Sequence, residues 1–460
     1  MNARDKKLAV IVLAAGLGSR MKSAKPKVLH AVGGRPLIGH IAAELVALQP
    51  TKIVLVVAPG DTAVLAAARA AAPGLDISSV EQRERLGTGH ATLQAKAALQ
   101  DFDGDILVTL GDAPFVSAAT FARLRAELNH ASNPAVAVLG VRLGDPGAFG
   151  RLVCDADGSL ARIVEAKDAD EATLRIEFVN TGVMAFAGRG FFDLLGRIAP
   201  NNAQNEFYLT DAIGLARAAG RAARAIAGSA DEWLAANDRA ELAGLEAAFQ
   251  RKKRHAAMLA GVTLVDPASV WFSYDTQIGA DTTVYPSVFF GPGVKVGANV
   301  EIKSFCHIEG TAIADGAIVG PFARLRPGAD IAAGAHIGNF VEIKNATVAA
   351  GAKINHLSYV GDAKVGAGAN IGAGTITCNY DGFEKSTTEI GAGAFVGSNS
   401  ALVAPVKIGA GAIVGAGSVV TQNVEDDALV VARGTAYTRS GWAKQFRARR
   451  AAEKAAKKKE

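Results

Sequence analysis

The chain has 460 residues, half of them hydrophobic, and a formal charge of +5. That length is too great for one ordinary core, so two domains and a linker are the natural expectation, and the absence of any run of about 18 apolar residues makes the chain read as soluble rather than membrane-spanning. The charge is not a general nucleic-acid footprint, because it sits in one place: from Gly441 onward, eight Lys/Arg face only Glu453 and Glu460, a net of +6 that leaves −1 for the rest.

Lys6-Lys7 followed by Leu8–Ala15 has the outline of a signal peptide, but the run is short and leads directly into Gly16-Leu17-Gly18-Ser19-Arg20. A buried first strand is the better reading. The pattern then predicts a helix over 36–49, a strand over Lys52–Ala58, a helix over Ala63–Ala72, a strand over Ile77–Val80 and a helix near 90–99. A strand over Asp105–Leu110, a helix over 117–128 and a strand over 135–141 continue the alternation, which argues for a doubly wound α/β sheet. Asp155-Ala156-Asp157-Gly158 reads as the turn of a hairpin between 150–154 and 160–165, and Phe178–Ala187 as a further strand. Helices over 208–219 and 231–256 close this half. Cys154, Cys306 and Cys378 are odd in number and far apart, which fits a reducing compartment and no zinc site.

Ligands of such a sheet bind beyond the carboxyl ends of its strands, where three loops are informative. In the first, Gly16 and Gly18 let backbone N–H groups approach phosphate while Arg20 and Lys27 supply charge; it lacks the third Gly of a dinucleotide fingerprint and the Gly-Lys-Ser/Thr of a Walker loop. In the second, Gln82 offers a donor and an acceptor to a base edge, and Gly87-Thr88-Gly89 is a turn open to a planar ring. In the third, Asp112 of Gly111-Asp112-Ala113-Pro114 is either a plain helix cap or a ligand for Mg²⁺ bridging phosphates.

The C-terminal third has a period of six. Small apolar residues recur at Ile278, Val284, Phe290, Val296, Ile302 and Ile308, and the count resumes after single five-residue steps at Ile313, Val348 and Val365. The period is neither 3.6 nor 2, so amphipathic helices and ordinary hairpins both fail, and a solenoid is the reading that remains. Three hexads per triangular coil predict about eight coils, roughly 4.8 Å apart, or a prism on the order of 40 Å long. The repeat breaks once, in the thirteen-residue step from Thr377 to Ile390, which must extrude a loop containing Asn379-Tyr380-Asp381-Gly382-Phe383-Glu384-Lys385. Arg326 and Lys344 flank interior positions and can project outward to hold a phosphate. His356, two residues past interior Ile354, is either a surface residue filling a corner or a base.

The ordered set LAAGLGSRM, PKVLH, LGTGHA, GDAP, IVEAKDA, NTGV and NNAQNEFYLTD, followed by the hexapeptide half, closely resembles the bacterial bifunctional N-acetylglucosamine-1-phosphate uridylyltransferase / glucosamine-1-phosphate N-acetyltransferase family over roughly residues 8–442. The resemblance implies a Rossmann-like, doubly wound nucleotidyltransferase domain (1–230), a helical linker (231–256), a left-handed parallel β-helix (257–440) and a basic C-terminal tail (441–460), the last read as disordered and solvated rather than a nucleic-acid site. It further implies that acetyl-CoA acetylates glucosamine 1-phosphate, and that UTP and the acetylated product then give UDP-N-acetylglucosamine and pyrophosphate for cell-wall and lipopolysaccharide precursors. The alternative is a single-activity nucleotidyltransferase with a structural β-helix.

By the same resemblance Arg20 and Lys27 match catalytic phosphate-binding residues, Asp112 and Asn237 match Mg²⁺ ligands, Gly16, Gln82, Gly87 and Thr88 match UTP and uracil contacts, and Gly150, Glu165 and Asn180 match sugar contacts. Leu110 stands where the family often has an aromatic. In the β-helix, His356 matches the catalytic base; Arg326, Lys344, Tyr359 and Asn370 match glucosamine-phosphate contacts, with Glu342 supporting them; Ala373, Asn379, Tyr380, Ser398, Ala416 and Arg433 match acetyl-CoA contacts. The resemblance also implies a cytoplasmic homotrimer assembled through the β-helix, with small-molecule substrates, no nucleic acid and no membrane.

Overall fold

The computed structural model describes residues 6–456. The chain divides into two compact units, one comprising residues up to His255 together with Phe272–Tyr274, the other Ala256–Trp271 and the residues from Asp275 onward.

The first unit is built on a mixed sheet whose main path runs Ala223–Ala227, Val136–Arg142, Phe178–Ala187, Gly104–Leu110, Lys7–Leu13, Lys52–Val57, Ile77–Glu81. Its pairs are parallel except where Phe178–Ala187 runs against both neighbours. The first strand is apolar at successive positions because both faces of the sheet are covered: Val10 and Val12 enter one core, Ala9 and Ile11 the other. The hairpin Arg151–Cys154 and Leu160–Val164 turns at Asp155–Gly158.

Several boundaries differ from expectation. The helix foreseen near 90–99 is Thr88–Leu93 followed by a separate 3₁₀ turn, Ala97–Leu99, and Ala223–Ala227 is an edge strand that the alternation did not disclose. The helix expected from 231 begins only at Arg239 and runs to Leu259. Its missing start has a physical cause: Trp233 and Ala236 are drawn into the cores, and Asn237 is held by Lys27 and Glu241.

In the second unit each periodic residue stacks on the one a coil away. Parallel registers link Ile278, Val296, Ile313, Ile331, Val348, Val365, Ile390 and Ile408 on one face. Val284 to Val414 line the second face, and Phe290, Ile308, Leu325, Ile343 and Val360 the third. Thr377 occupies an interior place because its hydroxyl is satisfied by the backbone of Gly361, at 2.8 and 3.0 Å. The glycines that follow interior aliphatics provide clearance: a Cβ on Gly397 would lie 2.5 Å from the backbone nitrogen of Ala416 in the next coil. One corner carries an exposed ladder of Phe305, Phe322 and Phe340, all at left-handed φ, with ring centroids 4.8 and 5.1 Å apart. The tail corrects an expectation. Trp442–Ala456 is an exposed helix rather than a disordered segment, supported by the Trp442–Phe446 ring stack and by Glu453 pairing with Arg449 and Arg450. Lys457, Lys458 and Lys459 lie outside the described residues.

Candidate functional sites

In the first unit the three loops leave the sheet at one level. Ala14 N donates to Val56 O, Gln82 N to Val57 O and Gly111 N to Leu13 O, at 2.8–2.9 Å. Arg85 Nε reaches Ala15 O at 3.1 Å and ties the second loop to the first. Gly16 is exposed with open space where a Cβ would be, and Arg20 is exposed on the 3₁₀ turn Ser19–Met21. Gly18 has φ +59°, and a Cβ there would lie 2.8 Å from that of Lys27, so this glycine lets the loop close over the lysine. Lys27 is the hub. Its Nζ contacts Asp112 Oδ2 and lies 3.2 Å from Asn237 Oδ1, and the Lys27 and Asp112 side chains are only 13% and 15% exposed.

Asn237 comes from far along the chain, yet its orientation is set. Its Nδ2 donates to Glu241 Oε2 at 3.0 Å, which leaves Oδ1 facing Lys27. A carboxylate and an amide carbonyl are hard oxygen donors and fit Mg²⁺. Among the described residues no group of three or more His, Cys, Asp or Glu could hold a metal. An ion here would therefore complete its shell from phosphate oxygens and water.

The second loop is organised around Phe207, a partner the sequence did not reveal. Gly89 N donates to Phe207 O and Phe207 N to Leu86 O, at 2.8 and 2.7 Å. Gly87 has φ +106°, and a Cβ there would meet Phe207 O at 2.6 Å. The Thr88 hydroxyl accepts from Leu209 N at 3.0 Å. Gln82 is buried, with Nε2 3.3 Å from both Gly87 O and His90 Nδ1, so its donor end is turned into its own loop.

Gly150, Glu165 and Asn180 meet on the hairpin side. Asn180 N donates to Gly150 O at 2.7 Å, and a Cβ on Gly150 would lie 3.1 Å from Glu165 Oε2. Asn180 is the last residue paired with Val136–Arg142 before the register shifts ahead of Met184, and its Oδ1 accepts from Gly182 N at 2.9 Å. Leu110 packs at Gly182, where a Cβ would be 3.0 Å from its Cδ1. Burial pushes the Glu165 carboxyl above its usual range; the Thr210 hydroxyl, 3.4 Å away, opposes this, and Asp168 and Asp211 add to it.

In the β-helix, Arg324, Glu342 and Tyr359 occupy successive coils in one register, and Arg326 Nη1 pairs with Glu342 Oε1 at 2.8 Å. Tyr359 lies over Gly361, where its ring and hydroxyl fill the place of a Cβ. Lys344 is in register with Gly361, and Lys385 of the extruded loop is near enough to bear on its charge. Lys385 first, then Arg326, lower the Lys344 pKa, with Asp362 opposing.

His356 Nδ1 lies 2.6 Å from Asn339 Oδ1, in the preceding coil. One ladder continues downward from His356. Gly374 N donates to His356 O, Asn399 N to Ala373 O, Gly417 N to Ser398 O, and Arg433 Nη1 to Ala416 O, at 2.6–3.2 Å. Ala373, Ser398, Ala416 and Arg433 thus descend one level at a time below His356. Four levels at ~4.8 Å span ~19 Å along the prism. Asn379 is buried, and Tyr380 is exposed with its hydroxyl donating to Gly382 O at 2.6 Å. Asn370 stands apart from His356, in register with Lys353 and Phe395.

Comparison with known proteins places both units. Residues 10–175 match the MobA-like NTP transferase domain, and residues 387–422 match the bacterial transferase hexapeptide of six repeats. The chain is 56% identical over 451 residues to the bifunctional protein GlmU of Paramagnetospirillum magneticum, covering 98% of this chain and 99% of that one. It is 51% identical to that of Hyphomonas neptunium, with 99% and 98% covered, and 50% identical to that of Zymomonas mobilis, with 97% and 98% covered. The chain belongs to the bifunctional GlmU family. Its fold is accordingly a Rossmann-like nucleotidyltransferase unit followed by a left-handed β-helix of hexapeptide repeats.

Sequence reasoning missed Asn339 and Asp362 as neighbours of the sites, and gave no individual role to Lys385 of the extruded loop or to Phe207 of the NNAQNEFYLTD stretch. For two of them a signal existed, since Asn339 precedes His356 by the same seventeen residues that separate Asp362 from Asn379. Phe207 and Leu86 carry no such ruler.

Proposed function

We infer that this chain is a bifunctional transferase that acetylates glucosamine 1-phosphate with acetyl-CoA and then joins the product to UMP from UTP, releasing pyrophosphate. The observation that carries this reading is likeness to bifunctional GlmU proteins at about half identity over nearly the whole length of both chains.

For acetyl transfer, the amine of glucosamine 1-phosphate must lose a proton to become a nucleophile. His356 is the proposed base. With Nδ1–H donating to Asn339 Oδ1, the lone pair is left on Nε2, which takes the ammonium proton. The freed nitrogen attacks the thioester carbonyl, the tetrahedral intermediate loses its second N–H proton to solvent and expels the thiolate, and the imidazolium returns the first proton to the sulfur. Arg326, Lys344 and Lys385 supply positive charge for the sugar phosphate. Tyr359 and Asn370 are the proposed sugar contacts, and Ala373, Asn379, Tyr380, Ser398, Ala416 and Arg433 the proposed path of acetyl-CoA.

For uridylyl transfer, an oxygen of the acetylated sugar phosphate attacks the α-phosphorus of UTP and pyrophosphate leaves. Lys27 and Arg20 offset the charge on the phosphates, so positioning and electrostatics carry the rate. Gly16, Gly87, Thr88 and Gln82 are the proposed nucleotide contacts, and Gly150, Glu165 and Asn180 the sugar contacts. Asp112 and Asn237 are the proposed Mg²⁺ ligands, and the bound ion would neutralise the phosphates as a Lewis acid.

We also propose a homotrimer assembled through the β-helix and located in the cytoplasm, where UTP and acetyl-CoA are metabolites. The exposed ladder Phe305, Phe322, Phe340 and Leu357, each 45–62% accessible and ending beside His356, supports a subunit contact at that corner. The test is a paired assay on one preparation: CoA release with glucosamine 1-phosphate, and pyrophosphate release with UTP. Absence of CoA release would leave a nucleotidyltransferase with a structural β-helix. A monomer in sedimentation at micromolar concentration would remove the trimer.

A further inference from the structure

One corner of the β-helix repeats polar residues at an interval of seventeen: Asn345, Asp362 and Asn379 follow Gly328. Asn345 and Asp362 have left-handed φ of 45° and 46°, which Asn and Asp accept more readily than other side chains. The Asp362 carboxylate accepts from Asn345 Nδ2 at 2.5 Å on one side and from Asn379 Nδ2 on the other. Asn379 is the root of the extruded loop. Ser386 N returns to Asn379 O at 2.9 Å, Tyr380 and Lys385 pair across the loop, and Asp381 Oδ1 accepts from Phe383 N and Glu384 N at 2.8 and 2.7 Å. The loop is therefore a closed unit hung on Asn379, and Asn379 is hung on Asp362.

The same carboxylate faces Lys344 and Lys385: it opposes the lowering of the Lys344 pKa by Lys385 and Arg326, and both lysines help to hold its own carboxyl low. Glu342 is committed to Arg326 at 2.8 Å, and Lys364 to Glu389 at 3.2 Å. Burial opposes ionisation of Asp362, but the amides of Asn345 and Asn379 and the charges of Lys385 and Lys344 outweigh it and hold its carboxyl below the usual range.

We propose that Asp362 is a positioning residue for acetyl transfer, fixing the loop that carries Asn379 and Lys385 and keeping Lys344 and Lys385 together as a cationic seat for the phosphate of the amino sugar. The proposal rests on the acetyltransferase reading of the β-helix. Without the carboxylate, two ammonium groups and Arg326 face one another with less compensating charge. Lys344, which Asp362 no longer supports, then gives up its proton at a lower pH, and the seat weakens.

The test uses the full chain carrying Asp362→Asn, which keeps shape and removes charge. The expected result is a KM for glucosamine 1-phosphate raised roughly tenfold, with a smaller change in kcat and with the alkaline rise of KM beginning at lower pH than in the wild type. Pyrophosphate release with UTP should be unchanged. Asp362→Gly, which suits the left-handed backbone, is the second variant and should show the same loss if the Asn variant folds poorly. Wild-type KM and pH profile in either folded variant overturns the proposal, as does lowered melting temperature with unchanged KM, which marks a merely structural role. Failure of the wild type itself to release CoA overturns the acetyltransferase reading instead.

Discussion

The two units gather charge around a candidate site in different ways. In the first, Lys27, Asp112 and Asn237 converge although 85 and 210 residues separate Lys27 from its partners. The sheet order brings them together, and nothing in their spacing announces it. In the second, Arg326 meets Glu342 sixteen residues on, and His356 meets Asn339 seventeen residues back. There a coil length is a ruler, and residues one coil apart are neighbours by construction. Sequence distance therefore locates contacts in a solenoid and conceals them in a doubly wound sheet.

If the two units act independently, each site should fail alone. His356→Ala should lower acetyl transfer by about 10²–10⁴-fold, the usual worth of a positioned acid–base group, and leave UTP-dependent pyrophosphate release within about twofold of wild type. Both rates measured on one preparation decide it, and wild-type acetylation in the variant would remove His356 from the base role. The reciprocal substitution, Asp112→Asn, should cost about 10²-fold or more in uridylyl transfer and raise the Mg²⁺ concentration needed, because it removes the only full negative charge among the three convergent groups. Acetyl transfer should be untouched. A comparable fall in both activities from either change would mean that the units do not work independently.

The fold was legible for the same reasons. A period of six cannot be mistaken for a helix or a hairpin, and every interior residue from Val284 to Val420 in that period is buried. In the first unit the apolar strands were readable from uninterrupted hydrophobic runs. Ala223–Ala227 was not, because Ala-Arg-Ala-Ile-Ala at a sheet edge lacks the β-branched density that marks a strand. The tail misled because its charge obscured its Ala content and its pairs at i,i+3 and i,i+4. Of the candidate residues, those on loops were findable as motifs. Phe207 stood inside a quoted motif, yet its backbone role in shaping the Gly87-Thr88-Gly89 turn was invisible because main-chain hydrogen bonds leave no trace in residue identity.

A smaller effect is expected one coil above His356. Asn339→Ala removes the acceptor 2.6 Å from His356 Nδ1 without touching Arg326, Lys344 or Lys385. Loss of one orienting hydrogen bond predicts a fall in acetyl-transfer kcat of about tenfold, with KM for both substrates nearly constant. Asn339→Gln, longer by one methylene, should not restore the rate, since register places the acceptor directly one coil away. A KM effect as large as the kcat effect would show that Asn339 binds substrate rather than orienting the base.

The last contrast sets one carboxylate against another. Burial raises the Glu165 carboxyl, while Asp362 is held low by its amide and ammonium partners. For Glu165 the folded state keeps its proton at a pH where the unfolded chain has released it. Its contribution to stability is present in full below the unfolded value and is lost as pH rises through the folded one. Glu165→Gln should therefore raise the melting temperature slightly near neutral pH and do little in acid. Asp362 has the opposite sign: its contribution is present above the unfolded value and is lost as pH falls through the lowered one. The two residues also part in function. In uridylyl transfer, only ionised Glu165 can accept hydrogen bonds with both oxygens, so KM for N-acetylglucosamine 1-phosphate should climb as pH falls through its raised value. The Gln variant should show a weaker and flatter KM over the same window. A wild-type KM flat down to the ordinary glutamate range would mean that sugar binding neither needs the Glu165 charge nor feels its burial.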